Sequence, residues 1–423
     1  MNIFEQLVQD IKLPKMSRIR QKFLRPVLED VSGVIREQLQ REGVLDRIKN
    51  GDKVAITAGS RGIENFAAIV RELVTVLKER GAKPFLVPAM GSHGGATAEG
   101  QTAVLRCLGI TEETVGAKIC STMEVVRIGT TDKGIPVCFD KYAYDADATI
   151  VINRIKPHTC FRGSIESGLA KMIAIGLGKQ IGAEMCHATG LSNMSARVEE
   201  IARVAIEKSN IAFGIGIIEN AYDETSRIVA IPRQKIIDEE PEFLIEAKEN
   251  LPQMLLGKCD VLVVDEIGKN ISGTGMDPNI VKRFTSEAIV CRPLAQRIVV
   301  LDLTKETHGN ATGIGLADIC TRRLYEKIDF YESYPNSLTS RVLMSVKIPM
   351  VMDNDRQAMK AAVKACFDID YDDVRIMRIK NTLKLEEIHI SENLLDEAMK
   401  NPRIEILSVP KEMAFDENGN LFN

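Results

Sequence analysis

The sequence contains no tryptophan, and aromatic residues make up only 5% of it, so base-stacking platforms and aromatic cages are poorly supplied. Neither sign of charge dominates. Against 59 Asp and Glu stand 55 Lys and Arg, a formal net charge of −4, and no broad cationic surface is left to neutralise a run of phosphates. No stretch of ~18 uninterrupted apolar residues occurs, and the opening MNIFEQLVQDIKLPK puts Glu5 and Asp10 where a signal peptide needs its apolar core. These absences predict a cytoplasmic protein with neither nucleic acid nor membrane as partner. The nine cysteines are scattered without a C-x-x-C pair, which removes the ligand sets of zinc ribbons and iron–sulfur clusters and leaves reduced thiols acting mostly as small apolar residues. Histidine is scarce too, with five in the chain.

What is present is ordinary globular material: 423 residues, 45% hydrophobic and 27% charged, enough for two or three domains with large cores. After a helical opening that ends at Gly51, KVAITAG (53–59) reads as a buried strand, 62–80 as a helix and KPFLVPAMG (83–91) as the next strand. That is a βαβ unit, whose right-handed crossover implies a parallel sheet. The alternation continues through a helix over 97–108, short strands near 125–129 and 135–139, ATIVIN (148–153), helices near 165–174 and 192–208, and apolar runs at 210–218 and 227–231. A second α/β pattern opens with CDVLVVDEIG (259–268), followed by the strand RIVVLDL (297–303) and helices near 314–327 and 354–366. The expected architecture is α/β: two α/β domains with largely parallel sheets, residues 1–255 and 256–423, the second closing over an interdomain active-site cleft. The tail beyond 403 is too weakly patterned to assign.

In open α/β sheets ligands bind beyond the carboxyl ends of the strands. Four such ends carry unusual chemistry: AGSRG, MGSHGG, NRIKPHTCFRGS and DEIGKNISGTGMDPN. His93, His158 and His187 fall in or near Gly-rich or Pro-bearing segments, and a neutral imidazole is a natural proton shuttle or metal ligand near pH 7. A structural role is the default for His308 and His389. Arg61, beside Ser60, is a candidate anion binder through a bidentate guanidinium, a salt bridge at a strand end being the plainer reading. Residues 163–190 interleave Gly with Lys171, Lys179 and His187, which permits close approach of backbone to a bulky ligand. The run GLGKQIG fits neither the dinucleotide fingerprint nor the Walker pattern, since Gln180 follows Lys179 and Ile173 stands where the upstream Gly is required.

GSH at 91–93, KPH at 156–158, the Gly-rich stretch with Lys171, and His187 sixteen residues later resemble the nickel-dependent lactate racemase family over roughly residues 50–190. The resemblance implies a racemase or epimerase of a 2-hydroxy acid whose cofactor is a nickel-pincer nucleotide. It implies that Lys171 is the covalent attachment point, His187 the protein ligand to nickel, and His93 with His158 the acid/base pair. It also implies that Arg61 with Ser60 holds cofactor or substrate, and that Lys269 of the second domain meets the substrate carboxylate. Asp265, Asn270, Thr274, Asp277, Glu166 and Arg162 are weaker candidates for reading a polyhydroxylated substrate. Cofactor-synthesis enzymes and a second copy of the chain are the expected macromolecular partners. The sequence departs from the family pattern at Ala58, Gly62, Leu169 and Ala170, and at GGATAEG after the GSH segment, which leaves open which 2-hydroxy acid is the substrate. Two other classes stay open on the residues alone: a nicotinamide- or zinc-dependent enzyme acting on a small carboxylate, and a cofactor-free binding protein.

Overall fold

In the computed structural model, which describes residues 3–188, 190–286 and 289–422, the chain divides into two units, Leu24–Leu251 and Met1–Phe23 with Pro252–Asn423. Both are mixed α/β with mostly parallel sheets.

In the unit Leu24–Leu251 the strands are β1 (Lys53–Ala58), β2 (Lys83–Pro88), β3 (Lys118–Ile119), β4 (Val125–Thr130), β5 (Pro136–Asp140), β6 (Ala148–Arg154), β7 (Ile211–Glu219) and β8 (Thr225–Pro232). Six of them form one sheet in the order β3-β2-β1-β6-β7-β8, parallel except for the β7–β8 hairpin, while β4 and β5 make a separate antiparallel ribbon. Five of the six residues of β1 are buried because both sheet faces are covered, which is why its sequence is a continuous apolar run rather than an alternation. The helices are α1 (Val31–Leu39), α2 (Phe66–Glu79), α3 (Ala98–Cys107), α4 (Leu169–Lys171), α5 (Lys179–His187), α6 (Met194–Lys208) and α7 (Ile236–Glu249). On α2 the buried positions Phe66, Ile69, Val70, Leu73, Val74 and Leu77 recur at helical spacing and pack against Val54, Ile56 and Ile150. At ~1.5–3 kcal/mol for each large apolar side chain, that stripe contributes on the order of 10 kcal/mol before chain entropy is subtracted. The opposite face is covered by α4 to α7, through Leu169, Ile173, Leu177, Val198, Ile201 and Ile236.

The chain leaves β1 for β2 and β3 on one side and returns to β6 on the other. The direction of winding therefore reverses between β1 and β6, and the crevice at their carboxyl ends is the place such a sheet offers a ligand.

The other unit carries an eight-stranded sheet in the order Met350–Met352, Ile319–Thr321, Ala295–Leu303, Cys259–Ile267, Ile376–Ile379, Glu387–Ser391, Met16–Gln21, Ile404–Ile406. Its first five strands are parallel and its last three antiparallel. Residues 1–23 therefore side with the C-terminal part of the chain, not with a continuous 1–255 domain. The cause is pairing at long range: Ile19 stands opposite Ile388 on one side and Ile406 on the other. The same pairing gives the tail a strand. The helix expected over 314–327 is a short turn at Ile314–Leu316, a strand at Ile319–Thr321 and a helix at Arg322–Glu326. Apolar residues that suit one helix face also suit a short buried strand between parallel neighbours. No helix among the described residues is long and apolar enough to cross a membrane.

Candidate active site

Strand β1 is followed by Gly59, where an added Cβ would sit 3.2 Å from the Met172 methyl carbon, so the chain after β1 runs close against the segment that follows Lys171. Ser60 and Arg61 come next. The Arg61 guanidinium donates to the Ser60 carbonyl at 3.2 Å and reaches solvent. Dehydration in its crowded surroundings and the nearby charge of Arg154 lower its pKa, though a guanidinium stays charged at any physiological pH.

Beyond β2 the chain turns through Gly91, Gly94 and Gly95, all at positive φ, with His93 between them. At Gly91 an added Cβ would lie 3.2 Å from Ile175, and the Gly91 amide donates to the Gly176 carbonyl at 3.4 Å, so this loop rests on the segment between Lys171 and α5. The His93 ring faces the Met90 carbonyl, with Nδ1 2.7 Å from its oxygen. A carbonyl can only accept, so Nδ1 carries the hydrogen and the neutral ring keeps its lone pair on Nε2.

His158, beyond β6, has the opposite arrangement. Its Nδ1 accepts from the Cys160 amide at 3.0 Å, which places the hydrogen of the neutral ring on Nε2. The ring stacks on Phe161 with centroids 4.1 Å apart. Glu166, fully buried, holds the loop: one carboxylate oxygen accepts from the His158 amide at 2.8 Å and from Arg162 at 3.2 Å, and the other lies 2.7 Å from the Lys248 ammonium. Burial first, and then the charges of Lys171, His187, Lys156 and Arg162, push the His158 imidazole well below its ordinary value, so it is neutral at pH 7.

Lys171 ends the single α-helical turn α4, after which Met172–Gly176 continue as a π-helix instead of the uniform helix expected there. A wide π turn inside a helix is found most often at functional sites. Burial, with Arg61 and Lys156 nearby, lowers the Lys171 amine to about 8, while the Cys160 and Cys186 thiols act in the opposite sense. The base of α4 is held by Glu240 from α7, whose carboxylate accepts from the Leu169 and Ala170 amides, the latter at 2.8 Å. Helix α5 then runs to His187 in its last turn.

Lys171, His158 and His187 thus share one electrostatic neighbourhood with Arg61 and Lys156, and the loop of His93 packs on the segment that joins Lys171 to α5. Lys269 lies in the other unit, where its ammonium donates to the Gly273 carbonyl at 2.7 Å. The weaker candidates are held by internal bonds. Asp265 makes a two-point pair with Arg378, Asn270 accepts from Thr304, Thr274 donates to the Met276 carbonyl, and Asp277 caps the Pro278–Val281 helix. Glu166 and Arg162 likewise serve the His158 loop. His308 ends a short turn at positive φ, and His389 stands in a strand opposite Arg18. Lys156 is a cation of the site that sequence reasoning passed over, although it begins the KPH motif; Gln101, Asp140 and Glu240 carried no local signal at all. No group of three or more His, Cys, Asp or Glu able to hold a metal ion occurs among the described residues.

The fold is thus α/β with a largely parallel sheet, and a lysine of depressed basicity shares its surroundings with His158, which follows β6. Residues 8–199 of the chain match the family model of the lactate racemase N-terminal domain. Among solved structures it is similar to the lactate racemase apoprotein of Thermoanaerobacterium thermosaccharolyticum, at 14% identity and a TM-score of 0.54, covering 86% of this chain and 94% of that one. A structural-genomics protein from Thermotoga maritima is similar at 12% identity and a TM-score of 0.51, covering 86% of this chain and 99% of that one. At such identities both likenesses speak for the fold. No curated protein matches the sequence.

Proposed function

We propose that this protein is an isomerase, a racemase or epimerase of a 2-hydroxy acid, working with a nickel-pincer nucleotide. The observation that carries the reading is the amine of Lys171, lowered to about 8 and set near His158, Arg61 and Lys156, with His187 also close to His158. An amine with a pKa of about 8 is about one-tenth unprotonated at pH 7, far more than an ordinary lysine, and its free base can form a covalent bond to an electrophilic carbon. The cations around it favour an anionic ligand such as a nucleotide carrying carboxylate and phosphate groups. With no three-residue metal cluster among the described residues, a metal ion here would need donors from an organic ligand, and His187 is the imidazole suited to complete such a set. Lys171, His187, Arg61 and Ser60 would hold the group.

When bound, the nucleotide supplies the electron-poor hydride acceptor that no side chain provides. The chain's own part is proton handling. With the hydrogen of the neutral ring on Nδ1, the Nε2 of His93 is the nitrogen able to take the proton of the substrate hydroxyl. His158 offers an Nε2–H, and to return a proton it must first become an imidazolium, which the charge of Lys171 opposes. Were the Lys171 charge neutralised by the group it would hold, part of that opposition would be lifted and His158 would accept a proton more readily. Lys269 remains our candidate for the substrate carboxylate.

The test is chain produced together with cofactor-synthesis enzymes, analysed for metal and intact mass and supplied with single enantiomers of 2-hydroxy acids. About one nickel per chain, added mass on Lys171 and interconversion of enantiomers are expected. Activity in metal-free, unmodified protein would refute the reading.

A further inference from the structure

Lys179 is the lysine of the Gly-rich segment for which the proposed reaction has no use. Its side chain is fully buried, its backbone sits at φ +54, and three acceptors surround the ammonium: the Pro88 carbonyl at the end of β2, Asp140 Oδ2 at 2.9 Å and Gln101 Oε1 at 3.2 Å. An ammonium only donates, so Gln101, itself fully buried on α3, must turn its oxygen toward Lys179 and its NH2 group the other way. That NH2 group donates to the Gly91 carbonyl at 2.9 Å and the His93 carbonyl at 3.3 Å. These two carbonyls belong to the loop in which the His93 ring folds back on Met90. Asp140 is anchored in turn by the Ala143 amide at 2.9 Å.

We propose that Gln101, oriented by the buried Lys179–Asp140 ion pair, is a positioning residue for His93, pinning the backbone at residues 91 and 93 so that the ring stays on the Met90 carbonyl and presents Nε2 as an acceptor. The His93 carbonyl also accepts from the Ala96 amide at 3.3 Å, and the buried Gln101 amide, whose own direction is dictated by a fixed cation, adds a second hold on that carbonyl and one on the Gly91 carbonyl. Lys179 also begins α5, the helix that ends at His187, so one ammonium ties the His93 loop to the element carrying the proposed metal ligand.

The inference rests on reading His93 as the base, yet its test needs neither cofactor nor turnover. With histidine labelled by 15N in the full chain, and His93 assigned through a His93→Gln variant, two-bond proton–nitrogen spectra report which ring nitrogen carries the hydrogen. The parent is expected to show His93 as one tautomer, protonated on Nδ1. Gln101→Glu leaves an acceptor for Lys179 and removes both donors to the loop. The expected result is loss of the single-tautomer signature at His93 with the His158 signature close to the parent's, and a lowered thermal midpoint, because the new carboxylate oxygen faces two buried carbonyls. Gln101→Leu tests the same point if the glutamate variant does not fold, and the double variant Lys179→Met with Asp140→Asn, which keeps Gln101 but frees its amide to rotate, should give a partial loss. A parent ring that already averages between tautomers, or unchanged His93 shifts in the Gln101 variants, overturns the proposal and leaves the racemase reading intact. Failure of the loaded chain to interconvert any hydroxy acid would do the reverse.

Discussion

The Cys160 amide donates to Nδ1 of His158 across 3.0 Å, which makes His158 the tautomeric opposite of His93. Because burial and then Lys171 hold the His158 imidazole well below its ordinary value, His158 should stay neutral in NMR titrations where an ordinary histidine is already taking up its proton. Lys171→Met removes the largest of the charges acting on it and should move its titration back toward ordinary histidine. An unchanged midpoint in that variant would show that Lys171 and His158 are electrostatically independent.

Among the lysines of the chain, Lys171 should be the most reactive. A pKa of about 8 leaves half the amine unprotonated at pH 8. Against an ordinary lysine near 10.4, its free-base fraction near neutrality is greater by on the order of a hundredfold. Competitive labelling with trace acetic anhydride, followed by peptide mass spectrometry, should place acetyl groups on Lys171 first at pH 7–8. A label spread evenly over surface lysines would count against the site described here.

Glu240 makes the fold sensitive to pH. Burial raises its carboxyl from 4.5 to about 7, against the pull of the Ala170 and Leu169 amides. Since the folded state binds this proton more tightly than the unfolded chain does, the contribution is fully present below the unfolded pKa and is lost as pH rises through about 7, at a cost of ~3 kcal/mol. Glu240→Gln keeps an acceptor for the two amides without the charge. In urea unfolding it should match the parent near pH 5 and exceed it near pH 8, whereas parallel curves at all pH values would remove Glu240 as the cause.

Lys179→Met strands the Asp140 carboxylate, buried, without its counter-ion, and should destabilise the protein by ~3–5 kcal/mol. Adding Asp140→Asn should recover part of that loss, and the double-mutant cycle measures how much belongs to the pair. Additive effects of the two substitutions would mean that the ion pair contributes no coupling.

Gly176→Ala tests the seat of the His93 loop. A Cβ there would fall 2.6 Å from the Ala89 carbonyl oxygen, and a backbone oxygen cannot move aside as a flexible side-chain end can. A loss of about 1–3 kcal/mol in stability, together with shifted His93 resonances, is expected. Parent-like stability and His93 signals would mean that the loop does not rest on this segment.

The sequence by itself determined the features that obey local rules. Continuous apolar runs made β1, β2 and β6 legible as buried parallel strands, the helical stripe made α2 legible, and scarce histidines in Gly- and Pro-bearing segments marked the ends of strands as the places to search. Tertiary structure alone decided the rest, because it depends on groups far apart in the chain. Met16–Gln21 is a strand only because Glu387–Ser391 and Ile404–Ile406 supply its hydrogen-bond partners. Nothing in the Gly-rich run around Lys179 announces that Asp140 and Gln101 close around its ammonium, and Glu240 becomes a helix cap only because α7 delivers it to the amides below Lys171. The tautomers of His93 and His158 were likewise beyond sequence reading: each is fixed by whether its Nδ1 meets a backbone carbonyl or a backbone amide, and turn geometry decides which.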